Sequence, residues 1–127
     1  VCTDSGEAKT NQEIIQAFKD ASDALTQGAC DQVLSMVQIN IEPLLVLPLI
    51  QGTMSLAVLI SSDSVDAGTT DYSLGAAFAF AWSILPLINS ADSASGDLIR
   101  ANMNFQLTDK PIKDGLDAVL GAVKSGV

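Results

Sequence analysis

The stretch PLLVLPLIQGTMSLAVLISS, residues 43–62, contains no charged residue, and neither does YSLGAAFAFAWSILPLINSA, residues 72–91. Each run is about as long as an α-helix that crosses a bilayer. Neither run shows the strict alternation of apolar and polar residues that a half-buried strand requires. The two runs therefore predict two long apolar helices, and they decide the fold class.

Two environments for these helices stay open, the core of a helical bundle and a hairpin that crosses a membrane. Pro43, Pro48 and Gln51 in the first run, with Pro86 and Asn89 in the second, are costly in an isolated membrane span. The charges favour the membrane slightly, because every base lies outside the two runs and the loop between them is purely acidic. We favour the bundle.

A third possibility comes from the short repeat Leu47-Pro48-Leu49-Ile50, which returns as Leu85-Pro86-Leu87-Ile88. A proline inside a helix removes a backbone hydrogen bond and bends the helix axis. Two bent apolar helices side by side would form the walls of a site for an apolar ligand such as a lipid. The alternative is a pair of kinked core helices.

Further helices are predicted on either side of these runs. Thr10 and Glu13 form a capping box, and Gly28 ends the helix that follows, over residues 10–27. Helical patterns also cover 31–62, 70–90 and 97–105. The prediction is an all-α fold, with an up-down-up-down four-helix bundle in 1–105 and a flexible C-terminal loop and short helix in 106–127. The predicted common core consists of Ile14, Phe18, Leu25, Val37, Leu45, Leu56, Phe78, Trp82 and Leu85.

The composition excludes several classes of function. The 127 residues include six bases, fifteen acids and no histidine, for a net charge of −9. A charge of this sign argues against nucleic-acid binding, and the missing histidine removes most acid–base catalysis and the usual zinc sites. The segment 63–68 begins like a calcium loop, but Val65 and Leu74 stand where oxygen ligands are required. We expect no enzyme activity, no cofactor and no metal.

The six bases come from the two ends of the sequence and suggest a docking surface. If the fourth helix packs beside the first, as a bundle allows, the bases share one face and form an electrostatic contact site. The alternative is a set of dispersed, solvated side chains. The candidate docking residues are Lys9, Lys19, Arg100, Lys110, Lys113 and Lys124.

Two cysteines complete the set of candidate site residues. Cys2 lies next to the N-terminus and Cys30 lies just before Asp31. In an oxidising compartment a bridge between them would stabilise the chain by about 3 kcal/mol through loop entropy. The alternative is two free thiols. We favour the bridge because a cysteine this close to a terminus has little other use.

The segments 10–27, 31–62, 70–90 and 97–105, followed by 108–127, resemble the small extrinsic lumenal subunits of photosystem II. The likeness is greatest to the diatom subunit that is similar to the four-helix Q-type protein. It lies in helix order and chain length rather than in a motif. It implies a non-enzymatic protein of the chloroplast thylakoid lumen that docks on photosystem II core subunits and other extrinsic proteins and supports oxygen evolution. Such a protein is peripheral to the membrane, and the start at Val1 agrees with removal of a presequence. A secreted protein is the alternative.

We expect mass analysis of the mature protein to find Cys2 and Cys30 joined. Alkylation without reduction should then modify neither thiol, and reduction before alkylation should expose both. Two thiols that are alkylated in the unreduced native protein would contradict the bridge.

Overall fold

The computed structural model describes residues 8–61, 67–104 and 112–126, and every secondary-structure element in this part of the chain is a helix. This confirms the predicted all-α class. The helices are α1 Lys9–Thr26, α2 Cys30–Met36, a π-helical turn Val37–Ile41, α3 Glu42–Ser61, α4 Ala67–Ala91, α5 Ser93–Met103 and α6 Leu116–Ser125.

The chain forms two compact units, an N-terminal unit Val1–Pro48 and a C-terminal unit Leu49–Val127. Helix α3 begins in the first unit and ends in the second. The predicted boundary between 105 and 106 falls in the segment 105–111, which lies outside the described residues. That boundary, like the up-down-up-down order of a four-helix bundle, stays a prediction.

The start of α1 differs from the predicted capping box. The helix begins at Lys9, and its N-cap is Ala8, whose side chain accepts no capping hydrogen bond. Thr10 therefore lies inside the helix, where its hydroxyl cannot cap the free N–H groups. Glu13 pairs instead with Lys9, whose Nζ lies 3.1 Å from Glu13 Oε1. An ion pair of this (i, i+4) spacing supports the first turn in place of the capping box.

The predicted end of α1 is confirmed. Gly28 follows the C-cap residue Gln27 and adopts φ +75°, a left-handed conformation that favours glycine. The N–H of Ala29 donates to the carbonyl of Ala24 and the N–H of Gly28 to that of Leu25, both at 3.0 Å. This pair of bonds is a Schellman motif, which satisfies the last carbonyl groups of the helix.

The π-helical turn Val37–Ile41 lies directly before a proline. Pro43 has no N–H to donate to the carbonyl of Ile39, and its ring would crowd that carbonyl in a regular α-helix. Widening the helix by a π turn relieves this conflict without ending the helix. Helices α2 and α3 therefore continue one another through the turn.

The C-terminal unit has a core of branched and long apolar side chains from α4, α5 and α6. These side chains are almost completely removed from solvent, and they meet in one cluster because α5 packs on both α4 and α6. The residues are Ile84, Ile88, Ile99, Met103, Val119 and Val123.

A polar cluster fixes the start of α5. Asp92 is the N-cap, and its carboxylate accepts hydrogen bonds from Ala94 N–H at 3.1 Å and from the Ser95 hydroxyl at 2.5 Å. The Ser95 bond lowers the pKa of the Asp92 carboxyl below its ordinary value. Its contribution to stability is therefore present above the unfolded pKa and is lost as the pH falls through the folded pKa. Ser95 is also hydrogen-bonded to Ser125 of α6 at 2.8 Å.

A second polar cluster fixes the other end of α5. Asn102 is fully buried, and its Nδ2 donates to Asp114 Oδ2 and to the Leu98 carbonyl, both at 2.8 Å. Its Oδ1 accepts the N–H of Asp114 at 2.9 Å. The Asn102 carbonyl accepts the N–H of Ile112, which has a positive φ of 51°. With its amide satisfied, Asn102 holds the segment before α6 on the end of α5.

Helices α3 and α4 meet where the side chain of Phe80 reaches Gly52. The ring of Phe80 lies against Gly52 so closely that a Cβ atom on Gly52 would overlap it. Thr53 and Ala57 are the buried residues of α3, and Thr53 Oγ1 donates to the Leu49 carbonyl at 2.8 Å. That bond satisfies the buried hydroxyl within its own helix.

The predicted common core is mostly wrong. Leu85 is buried, but Phe18 is 52% exposed, Leu25 55% and Leu45 50%. Ile14, Val37, Leu56, Phe78 and Trp82 are partly exposed. Ala21 and Ala24 are the buried residues of α1. Periodicity identified the apolar face of α1, but the contact is centred on its alanines and leaves the larger side chains of that face at the edge.

We expect Gly52→Ala to destabilise the protein by about 1–2 kcal/mol, because the added methyl group forces the Phe80 ring to move. The matched control is Gly75→Ala in α4, where a Cβ meets no neighbouring atom. The control should be neutral or stabilising by up to about 1 kcal/mol, since alanine is the better helix former. Denaturant unfolding followed by circular dichroism measures both, and equal shifts would contradict the Phe80 contact.

Candidate docking surface

Two of the predicted docking bases are held in ion pairs within their own helices. Lys9 pairs with Glu13 in α1, and Arg100 Nη1 lies 2.7 Å from Asp97 Oδ1 in α5. All four side chains are well exposed, so each pair contributes at most about 0.5 kcal/mol. The positive charges of Lys9 and Arg100 are partly neutralised by their own acidic neighbours, which weakens both bases as contacts for an acidic partner.

The other bases lie in different parts of the chain. Lys19, Lys113 and Lys124 are exposed and form no salt bridge with another described residue. Lys110 lies outside the described residues. Lys19 belongs to the N-terminal unit, and Lys113 and Lys124 belong to the C-terminal unit. A single basic face shared by α1 and α5 stays a prediction.

Within the C-terminal unit the bases separate into two places. Lys113 precedes Asp114, which is bonded to Asn102, so Lys113 and Arg100 lie at the same end of α5. Lys124 precedes Ser125, which is bonded to Ser95 at the opposite end. The unit therefore carries positive charge at both ends of the α5–α6 pair rather than in one cluster.

Cys30 is the first residue of α2, and its thiol is exposed and free in the structure. Cys2 lies outside the described residues, so the predicted bridge stays a prediction. No group of three or more His, Cys, Asp or Glu side chains in 8–61, 67–104 and 112–126 is arranged to hold a metal ion.

The feature that the sequence analysis missed is a set of large apolar side chains on the surface, here called the exposed apolar set. Each member is at least 42% exposed, and the members are divided between the N-terminal and the C-terminal unit. The run 43–62 already indicated such exposed side chains. A helix that is apolar on every side has more apolar surface than one neighbouring helix can cover. The members are Ile15, Phe18, Leu25, Leu34, Ile39, Leu45, Val58, Leu59, Tyr72 and Leu87.

Part of this set lies on a charged helix. Ile15, Phe18 and Leu25 are exposed on α1, which also carries Lys19, Asp20 and other charged residues. A helix of this composition is amphipathic, and an amphipathic helix requires a covering surface for its apolar side. The described contacts of α1 within its own unit bury only its alanines.

Two helical stretches in the described part are long and apolar enough to cross a membrane. They are Cys30–Ser61, which contains an 18-residue window of mean hydropathy 2.0, and Asp71–Ala91, which contains one of mean hydropathy 1.5. Only 11% of the first window and 28% of the second are buried within the protein. The contacts among the described residues therefore bury only a small part of the two apolar runs. Most of the surface of these two helices is open to lipid, a partner or solvent.

Comparison with known proteins gives no relative. The chain matches no protein-family model, no curated protein and no solved structure.

We expect Phe18→Ala to lower the free energy of unfolding by less than about 1 kcal/mol, because half of this side chain is already in water. The matched variant is Ile99→Ala, which empties a fully buried position and should cost about 2–5 kcal/mol. Urea unfolding of both variants measures the difference. A loss of 3 kcal/mol or more for Phe18→Ala, on the scale of large core deletions, would restore Phe18 to the core.

Proposed function

We propose that this protein is a non-enzymatic subunit that docks on a larger assembly through the exposed apolar side chains of α1, and that the assembly is the lumenal face of photosystem II. The observation that carries the docking role is the exposure of Ile15, Phe18 and Leu25 on a charged helix. A protein surface with an apolar centre and a polar rim accommodates both the apolar and the charged side chains of such a helix.

The order of the elements supports the photosystem assignment. Helices α1, α2 with α3, α4 and α5 follow one another as four helical segments, and α6 is the short helix after them. This is the sequence of elements in the extrinsic subunits that the chain resembles. The proposal includes their bundle topology and a role in supporting oxygen evolution.

The exposed lysines add a second component to docking. Lys113 and Lys124 lie at opposite ends of the α5–α6 pair and are free to meet acidic groups on a partner. Attraction between exposed charges raises the association rate and is screened by salt. The attachment should therefore weaken as ionic strength rises.

A rebinding experiment tests this proposal. Photosystem II particles stripped of their extrinsic proteins are incubated with the purified chain, and bound protein is measured over a range of salt. We expect saturable binding and partial recovery of oxygen evolution. The variant Lys113→Gln/Lys124→Gln should bind several-fold more weakly at low salt and show a flatter salt dependence.

The matched control is Lys9→Gln/Arg100→Gln, which removes the same charge from bases that are already ion-paired. Its effect should be smaller. Equal losses for both double variants would show that only the net charge matters. Absence of saturable binding by the wild-type chain would overturn the photosystem assignment.

A membrane hairpin is the second candidate, and the two apolar helical stretches favour it. Thr53 and Ala57 in α3 and Ala77 and Ala81 in α4 are buried, whereas Leu59 points outward. Small residues at helix contacts are typical of helix packing in membranes, and in α4 the larger Ile84, Leu85 and Ile88 are buried as well. With bases on both flanks and acids in the connecting segment, such a hairpin would have both ends on the same side.

An alkaline or high-salt wash of the source membranes separates the two candidates. An extrinsic subunit is released into the supernatant, because only surface contacts hold it. A hairpin stays in the pellet until detergent is added. Retention after the alkaline wash would replace the extrinsic assignment with the hairpin.

A further inference from the structure

The N-terminal unit contains an open cleft between α1 and the segment that joins the π-helical turn to α3. Its volume is about 450 Å³, enough for two or three side chains of a ligand. The lining residues all lie within residues 13–44 of the N-terminal unit. It is lined by Glu13, Ala17 and Asp20 of α1, Ile39 and Asn40 of the π-helical turn, and Pro43 and Leu44 of α3.

The α1 wall of the cleft is acidic. Glu13, Ala17 and Asp20 have the spacing i, i+4, i+7, so the two carboxylates lie on one face of α1 with the alanine between them. Glu13 is paired with Lys9. Asp20 accepts only a neutral donor among the described residues, Gln16 Nε2 at 2.7 Å, and it forms no salt bridge with them. Asp20 is thus the carboxylate that is available to an incoming cation.

The opposite wall is mainly apolar. Ile39 is 71% exposed, and Leu44 is partly exposed beside Pro43. No lysine or arginine lines the cleft. The charged residue next to this wall in the sequence is Glu42, directly before Pro43, and it is also an acid. The cleft therefore combines an apolar surface with negative charge along one edge.

We propose that this cleft binds a segment of a partner protein that carries a lysine or arginine beside apolar side chains. The base pairs with Asp20, and the apolar side chains cover Ile39 and Leu44. Charge complementarity selects this occupant. A second copy of this chain would bring a net charge of −9 to an acidic edge, and a small inorganic cation would leave the apolar wall in water.

The proposal does not depend on which assembly Lys113 and Lys124 contact, because no lysine lines the cleft, although Ile39 belongs both to the cleft and to the exposed apolar set. It adds a specificity element to docking, since a basic anchor in an acidic cleft fixes the register of a partner segment. Such an anchor is more selective than apolar contact alone, because an acidic residue in its place would be repelled.

Two synthetic peptides test the proposal on the full-length ¹⁵N-labelled chain. The first is an amphipathic peptide of leucine, alanine and lysine, and the second has glutamate in place of every lysine. We expect the lysine peptide to shift the backbone amide signals of Ala17, Ile39 and Leu44, with weakening at higher salt. The glutamate peptide should not bind there.

Asp20→Asn should weaken binding of the lysine peptide by about five-fold, in the range of an exposed charge pair. The matched control is Asp23→Asn, which removes the same charge from α1 outside the cleft and should leave the affinity nearly unchanged. Circular dichroism shows that both variants keep their helices. Equal binding of the two peptides, equal weakening by the two substitutions, or shifts confined to other residues would each overturn the proposal.

Discussion

Several helices of this chain are buried at their small residues, and this constraint determines what remains on the surface. Ala21 and Ala24 are the buried positions of α1, and Thr53 and Ala57 are those of α3. Contacts at small side chains allow close approach, but they remove little apolar area from water, and the stabilisation per contact is correspondingly small. The large side chains that a soluble core normally encloses therefore become surface that another molecule must cover.

The α5–α6 pair shows the opposite arrangement. Ile99 and Val119 are fully buried, and the α5–α6 pair is fastened at both ends, by Ser95 with Ser125 and by Asn102 with Asp114. Burial of branched side chains supplies stability, and the hydrogen bonds specify one alignment of the two helices, since a shifted alignment would leave Asn102 buried and unsatisfied. One chain thus combines a unit with a conventional core and helices that lack one.

The sequence predicts the helices well and their burial poorly, for a physical reason. Gly28 and the absence of charge in 43–62 and 72–91 are local signals, and the helix boundaries follow them within a few residues. The burial of Phe18 depends on which neighbour covers α1, and that information is not local. The start of α5 at Ser93 also differed from the expected 97, because the cap at Asp92 depends on Ser95 folding back to its carboxylate. Of the candidate docking residues, the exposure of Lys19, Lys113 and Lys124 was predictable, whereas the pairing of Lys9 and Arg100 depended on rotamers.

The π-helical turn Val37–Ile41 makes the direction of the side chains before and after it depend on the number of residues in the turn. An α-helix rotates about 100° per residue, and a π turn accommodates one residue more than an α turn. The side chains of α2 and those of α3 are therefore out of phase by roughly one residue, as though a single amino acid had been added to a continuous helix. Deleting one residue from this turn would bring the phases back together and rotate Leu34 by about 100° about the helix axis relative to Leu44. The length of the chain at this point, and not only its composition, sets which side chains meet a partner.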